Sequence, residues 1–153
     1  MGEAAVSIQT VPSRRLAAVR RQVWMGGVGA AWKPALDQVW EFLRRHPGLR
    51  TDGHNVFLYD HLEPNEPMTV DFGVEVSAAF EPEGEIMAVE TPAGEAAVAV
   101  HVGAYSAIPA AHQAIHRWCA SQDHALAGRA WEIYGDWTSD ESKLETTIAY
   151  LLK

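Results

Sequence analysis

The sequence predicts an α+β fold built by internal duplication: a curved antiparallel sheet of about eight strands carrying two main helices on one face. Three observations carry this expectation. Short segments alternate apolar and polar residues, the period of a half-buried strand. Two longer segments, AAWKPALDQVWEFLRRH (30–46) and IPAAHQAIHRWCASQDH (108–124), place apolar residues at helical spacing instead. The order of segments in the second half also repeats the order in the first.

In chain order, VSIQTVPSRRLAAVRRQVW (6–24) reads as two extended pieces broken at Pro12-Ser13, and Gly26, Gly27 and Gly29 make a flexible connection. The first helix sets Leu36, Val39, Trp40 and Leu43 on one stripe and ends at Pro47-Gly48. NVFLYD (55–60) is a short strand, HLEPNEP (61–67) a turn, and MTVDFGVEVS (68–77) a long alternating strand. GEIMAVETPAG (84–94) runs into a proline turn, and EAAVAVHVGAY (95–105) is a further strand. The second helix follows and is expected to close at Ala127-Gly128. RAWEIYGDW (129–137) is a strand, TSDESK (138–143) a polar loop, and LETTIAYLL (144–152) the last strand.

The repeat is read residue by residue. Val11-Pro12 with Leu16 to Val19 resembles Thr91-Pro92 with Glu95 to Val98, Trp40 matches Trp118, and Tyr59 matches Tyr134. Two strand-helix-strand-strand units, roughly 1–80 and 81–153, are therefore expected to pair about a pseudo-two-fold axis within one domain, 1–153. The face away from the helices would be concave, and that is where a ligand cleft is expected.

Composition narrows the function. A net charge of −8 argues against nucleic-acid binding, whose affinity comes from cations neutralising phosphates. No stretch is long and apolar enough to span a membrane, and MGEAAVSIQT lacks the basic-then-apolar pattern of a signal peptide. With one cysteine, Cys119, which reads as a small buried hydrophobe, no internal disulfide is available, and a cytoplasmic location is expected. His112 and His116 lie four apart but lack a third ligand or an HExxH pattern, so no metal and no cofactor are expected.

The chemically informative segment is WEIYGDW (131–137). Alternation sends Trp131 and Ile133 to one face, into the core, and Glu132 and Tyr134 to the other. The matching strand of the first half sets Phe57 and Tyr59 in the same positions, so the axis would gather three aromatic rings and one carboxylate. From spacing alone Glu132 is either the polar side of an amphipathic strand or a pocket carboxylate. In the central strand Met68, Val70, Phe72 and Val74 are expected under the helices, with Asp71 and Glu75 toward the cavity or its rim. His101 shares a face with Ala97 and Ala99, as a half-exposed structural histidine or a base.

Nearly all the chain then resembles the GyrI-like family, the effector-binding domain also found in BmrR-type and AraC-type transcription regulators (a BmrR-like, SOUL-like fold), with the motifs in the second half and the first half fitting the family's duplicated unit. The resemblance rests on the Pro92 to Gly94 start of a strand, on His101-Val102-Gly103-Ala104-Tyr105, on the amphipathic helix, and on Trp131-Glu132-Ile133-Tyr134. It implies a bacterial, stand-alone, multidrug-type domain binding lipophilic, often cationic aromatic small molecules, with Glu132 as the acidic anchor. The expected ligand-contacting set is Glu132, Tyr134, Phe57 and Tyr59, with Tyr105, His101, Asp71 and Trp24. Two alternatives follow from the same resemblance. One is a hydrolase of reactive, cyclopropane-bearing electrophiles, with Glu132 as general base and Tyr134 as catalytic donor. The other is a gyrase-inhibitor-like protein-interaction module. No DNA-binding segment and no membrane partner are expected, and the sequence leaves the oligomeric state open.

Overall fold

The computed structural model describes residues 5–24, 26–60 and 65–153, which form eight strands and two long helices. In chain order these are β1 (Ser7–Val11), β2 (Arg15–Val23), α1 (Val28–Arg45), β3 (Arg50–Asp60) and β4 (Met68–Val76), then β5 (Met87–Glu90), β6 (Gly94–Val102), α2 (Ile108–Ser121), β7 (Leu126–Tyr134) and β8 (Glu145–Leu152). Part of the turn expected over 61–67, residues 61–64, lies outside the described residues, as does the start of the N-terminal segment. No helix among the described residues is long and apolar enough to cross a membrane.

Every neighbouring strand pair is antiparallel, and the sheet order is β1-β6-β8-β7-β3-β4-β2-β5. Read outward from the β7–β3 seam, the order pairs β7 with β3, β8 with β4, β6 with β2 and β1 with β5. That is the pattern of a duplicated unit turned about a two-fold axis, and the axis passes where Phe57 faces Glu132 in register. The first strand of each half has crossed to the other half, β1 onto β6 and β5 onto β2. Alternation of faces matches Leu16 with Ala96, one residue on from the alignment expected from the sequence, because both point away from the helices.

The crossed strands force the sheet to curl. β1 and β2 stand six strand spacings apart, about 29 Å in a flat sheet. Yet only Pro12, Ser13 and Arg14 join them, a link that reaches about 14 Å when fully extended. The same geometry recurs between β5 and β6 through residues 91–93. The Thr91 amide donates to the Arg14 carbonyl (2.9 Å), and the Arg14 amide to Thr91 Oγ1 (2.8 Å), tying the two links together.

Curling fills the helix-free face. Leu58, Ala96, Val98, Trp131 and Ala149 form a buried cluster there, against which Val11 and Val89, from the two opposite edge strands, both pack. Among the described residues no cleft opens on that face, because the short links bring its two edges together over Trp131. The helix-bearing face holds two further clusters. One packs Leu36, Val39, Phe42 and Leu43 of α1 on Met68, Val70, Phe72 and Val74 of β4; the other packs Ile108, Ile115 and Cys119 of α2 on Ala97, Ala99, Ile148 and Tyr150. Tyr134 packs against both.

Several boundaries differ from expectation: α1 already includes Gly29, which the sequence placed in a flexible connection, and two differences are larger. β3 begins at Arg50, five residues before the strand read from the sequence. Gly128 does not end the helix; it lies inside β7 at φ +85°, where the pairing with β8 shifts register between Leu126 and Ala130. A bulge with left-handed backbone is a position glycine fills at little steric cost.

Gly73 has a different reason. A Cβ at this position on the inner, curled face would stand 3.0 Å from the Ala17 carbonyl oxygen and 3.1 Å from Ala18 Cβ. Gly73→Val is therefore expected to lower stability by about 1–3 kcal/mol through overpacking. Urea denaturation checks this; an unchanged midpoint would mean that β2 and β4 are not held this closely.

Candidate functional site

The site begins with the alternation of β7. Trp131 is buried in the inner cluster and Ile133 packs at its margin, which turns Glu132 and Tyr134 to the helix-bearing face. On neighbouring β3 the same face presents Phe57 and Tyr59. The four residues therefore meet at the seam between the α1 and α2 clusters, on the opposite side of the sheet from the expected cleft.

Glu132 is 4% exposed. Its Oε1 accepts hydrogen bonds from Tyr59 Oη (2.7 Å) and Tyr134 Oη (2.6 Å), and its Oε2 lies 2.6 Å from His112 Nε2. An ionised carboxylate only accepts, so all three partners donate, and the hydrogen of His112 is placed on Nε2. His112 Nδ1 is in turn 2.7 Å from Tyr150 Oη. Burial first, and the Glu132 charge second, raise the phenols of Tyr59, Tyr134 and Tyr150 far above the ordinary tyrosine value, so these hydroxyls stay protonated donors.

Aromatic rings enclose this polar centre. Phe57 stands edge-on to Phe72 (centroids 4.8 Å apart) and to Tyr134 (4.9 Å), and Tyr105 meets the outer side of Tyr134 at 5.7 Å. Tyr105 is 39% exposed, which puts it at the rim. Thr146, paired with Tyr134 in register, is fully buried, and its hydroxyl has no hydrogen-bond partner among the described residues. Two surface depressions, one beside Phe80 and Glu90 and one beside Gln9 and Val98, do not reach Glu132.

A second buried carboxylate supplies a comparison. Asp71, 3% exposed, lies on the helix-free side of β4 and takes a bidentate ion pair from Arg20, Nε to Oδ1 at 2.7 Å and Nη2 to Oδ2 at 3.0 Å. A fixed guanidinium compensates Asp71, whereas among the described residues the hydrogen-bond partners of Glu132 are two phenols and an imidazole. Asp71 and Glu75, which pairs with Arg14, thus stand across the sheet from Glu132. Trp24 is 60% exposed beyond the end of β2, and the His101 ring holds the Ala104 carbonyl (Nε2 to O, 3.0 Å), shaping the turn before α2.

His112 and Tyr150 are the site residues that sequence reasoning missed. His112, weighed in the sequence only as half of a metal pair with His116, belongs to the buried stripe formed by Ile108, Ile115 and Cys119, one turn from Ile108 and from Ile115. Tyr150 follows Ile148 by two, on the same face of β8. No cluster able to hold a metal occurs among the described residues.

Comparisons with known proteins agree with this architecture. The profile of the GyrI-like small molecule binding domain matches residues 4–152. Among solved structures, the chain is similar to the EcmrR C-terminal domain, at 22% identity over 98% of both chains with a TM-score of 0.80. It covers 57% of the EcmrR chain seen in a complex with DNA. SAV2435, solved bound to tetraphenylphosphonium, is 12% identical over 97% of this chain and 94% of its own, with a TM-score of 0.70. A hydrolase from Listeria innocua encoded by lin2189 is 11% identical over 99% of this chain and 93% of its own, with a TM-score of 0.59. No curated protein matches.

The buried phenols give a direct optical prediction. The chain has four tyrosines, and Tyr105, whose phenol is raised only by burial, is the exposed one. In an alkaline titration followed by phenolate absorbance, one tyrosine is expected to ionise before unfolding and three only with it. The three raised phenols stabilise the fold below their unfolded value of about 10, and this contribution is lost as pH rises beyond it. Three tyrosines ionising while the fold persists would contradict the network.

Proposed function

Since the chain belongs to the GyrI-like small-molecule binding domain family, we propose that it binds lipophilic aromatic cations at the seam between α1 and α2, with Glu132 as counter-charge. The observation that carries this reading is the contrast between the two buried carboxylates. Burying a charge without a partner is costly, and Asp71 meets that cost with Arg20. Glu132 sits equally deep with no guanidinium or ammonium among its described hydrogen-bond partners, so a ligand cation supplies the charge it lacks.

The walls suit such a ligand. Phe57, Tyr59, Tyr134 and Tyr105 offer ring surfaces, each cation–π contact contributing about 0.5–2 kcal/mol once water is excluded. The Tyr59 and Tyr134 hydroxyls hold Oε1 in place, so the carboxylate is oriented before the ligand arrives. SAV2435, with the same fold, is itself bound to tetraphenylphosphonium, a cation of this class.

A hydrolytic reading draws on the same groups and on the hydrolase among the structural neighbours. In it Glu132 takes a proton from water while Tyr134 or Tyr59 donates to the substrate atom that gains charge. Glu132→Gln separates the two, because the amide keeps the shape and acceptor oxygen but not the charge.

Titration calorimetry with tetraphenylphosphonium is expected to give at least about tenfold weaker binding for Glu132→Gln, the loss of a charge-assisted contact of about 1.5–3 kcal/mol. A neutral aromatic of similar shape should bind both forms alike. Equal affinity of the two forms for the cation, with turnover of a reactive electrophile lost only in the variant, would sink the binding reading in favour of hydrolysis.

A further inference from the structure

His112 is the one described hydrogen-bond partner of Glu132 that comes from a helix rather than from the sheet. It takes Oε2, the oxygen that the two tyrosines leave open, at 2.6 Å. Its side chain is 20% exposed, against 5% for that of Glu132, so the imidazole is the outer member of the pair. With the Tyr150 phenol holding its proton, Tyr150 donates to Nδ1 and Nε2–H donates to Oε2, a neutral chain ending on the carboxylate. Adding a proton at Nδ1 turns the imidazole into a cation resting against Glu132, with Tyr150 Oη now accepting.

We propose that His112 is a built-in competitor for the cation subsite: it occupies Glu132 Oε2 in the ligand-free protein, and a ligand cation binds by displacing it and releasing its proton. The inference rests on the cation-binding reading above and adds the residue that makes binding depend on pH.

The groups facing His112 are Tyr59 from β3, Glu132 from β7, Tyr150 from β8 and His116 from α2 itself, with Tyr134 and Cys119 nearby in the same cluster and His101 on neighbouring β6 already engaged by Ala104. The raised phenols of Tyr59, Tyr134 and Tyr150 do not titrate in the neutral range. Burial pushes the Cys119 thiol up, and burial followed by the His112 charge pushes the His116 imidazole down, in both cases toward the neutral form. The proton released on binding is assigned to His112, the group that shares Oε2. The sign follows: lower pH charges the imidazole, strengthens its pair with Glu132 and weakens the ligand, whereas higher pH frees the carboxylate.

Calorimetry of the full chain with tetraphenylphosphonium, in buffers of differing ionisation enthalpy, counts this proton directly. In the wild type, affinity is expected to rise with pH by up to about tenfold per pH unit, with a proton released on binding wherever the imidazole is charged. His112→Gln keeps a neutral donor toward Oε2. It is expected to release no proton, to show a flat profile, and to bind about tenfold or more tighter than wild type at the acid end. His112→Asn serves the same comparison should the glutamine variant not fold. Should the wild type and the variant track each other across the profile, with no proton released, His112 is not the competitor, while weak binding by Glu132→Gln would leave the cation reading standing. Absence of tetraphenylphosphonium binding to wild type and variant at every pH would overturn the cation reading and this inference with it.

Discussion

The constraint on which the site depends is the cost of keeping one carboxylate out of water where the two halves of the sheet meet. Glu132 is as deeply buried as Asp71, in the same sheet, yet the two are stabilised differently. Asp71 has a permanent cation on a neighbouring strand, and its pairing with Arg20 accounts for it as structure. Glu132 is held by three hydrogen bonds from groups that are neutral or only conditionally charged. Such donors orient a carboxylate and offset part of its desolvation while leaving its charge available to a ligand.

Duplication explains how the arrangement arises. Under the pseudo-two-fold axis Tyr59 and Tyr134 are equivalent, and both hydroxyls converge on one oxygen. The axis itself passes between Phe57 and Glu132, which face each other in register. A residue on the axis meets its own copy, and two carboxylates there would repel each other in a poorly screened site. With phenylalanine on one side and glutamate on the other, the site has one charge, two symmetric donors and an aromatic neighbour. The helices complete the asymmetry, since α2 sends His112 to the carboxylate while α1 contributes apolar packing.

Much of this was legible in the sequence. Alternation placed Met68, Val70, Phe72 and Val74 under the helices, and the repeat foretold the duplicated sheet. The side of the sheet was not legible, because it follows from strand order: only once β1 is seen on β6 do the three residues between Val11 and Arg15 become a link that forces the curl. Trp131 shows the consequence, buried as alternation required but in an inner core no helix touches. His112 was hidden for a different reason. Its spacing from Ile108 and Ile115 puts it on the buried stripe, but its spacing from His116 drew attention to a metal pair instead. A polar residue at an apolar position of a helix stripe was the available signal, and its partner, an acid on an aromatic strand, was already in view.

The most direct measurement is a crystal structure of the chain with tetraphenylphosphonium bound. The account predicts the phosphonium centre against Glu132 Oε2 at the seam between α1 and α2. Tyr59 and Tyr134 should still donate to Oε1, and His112 should be turned off the carboxylate. A ligand bound elsewhere on the chain, with the pairing of His112 and Glu132 intact, would contradict it.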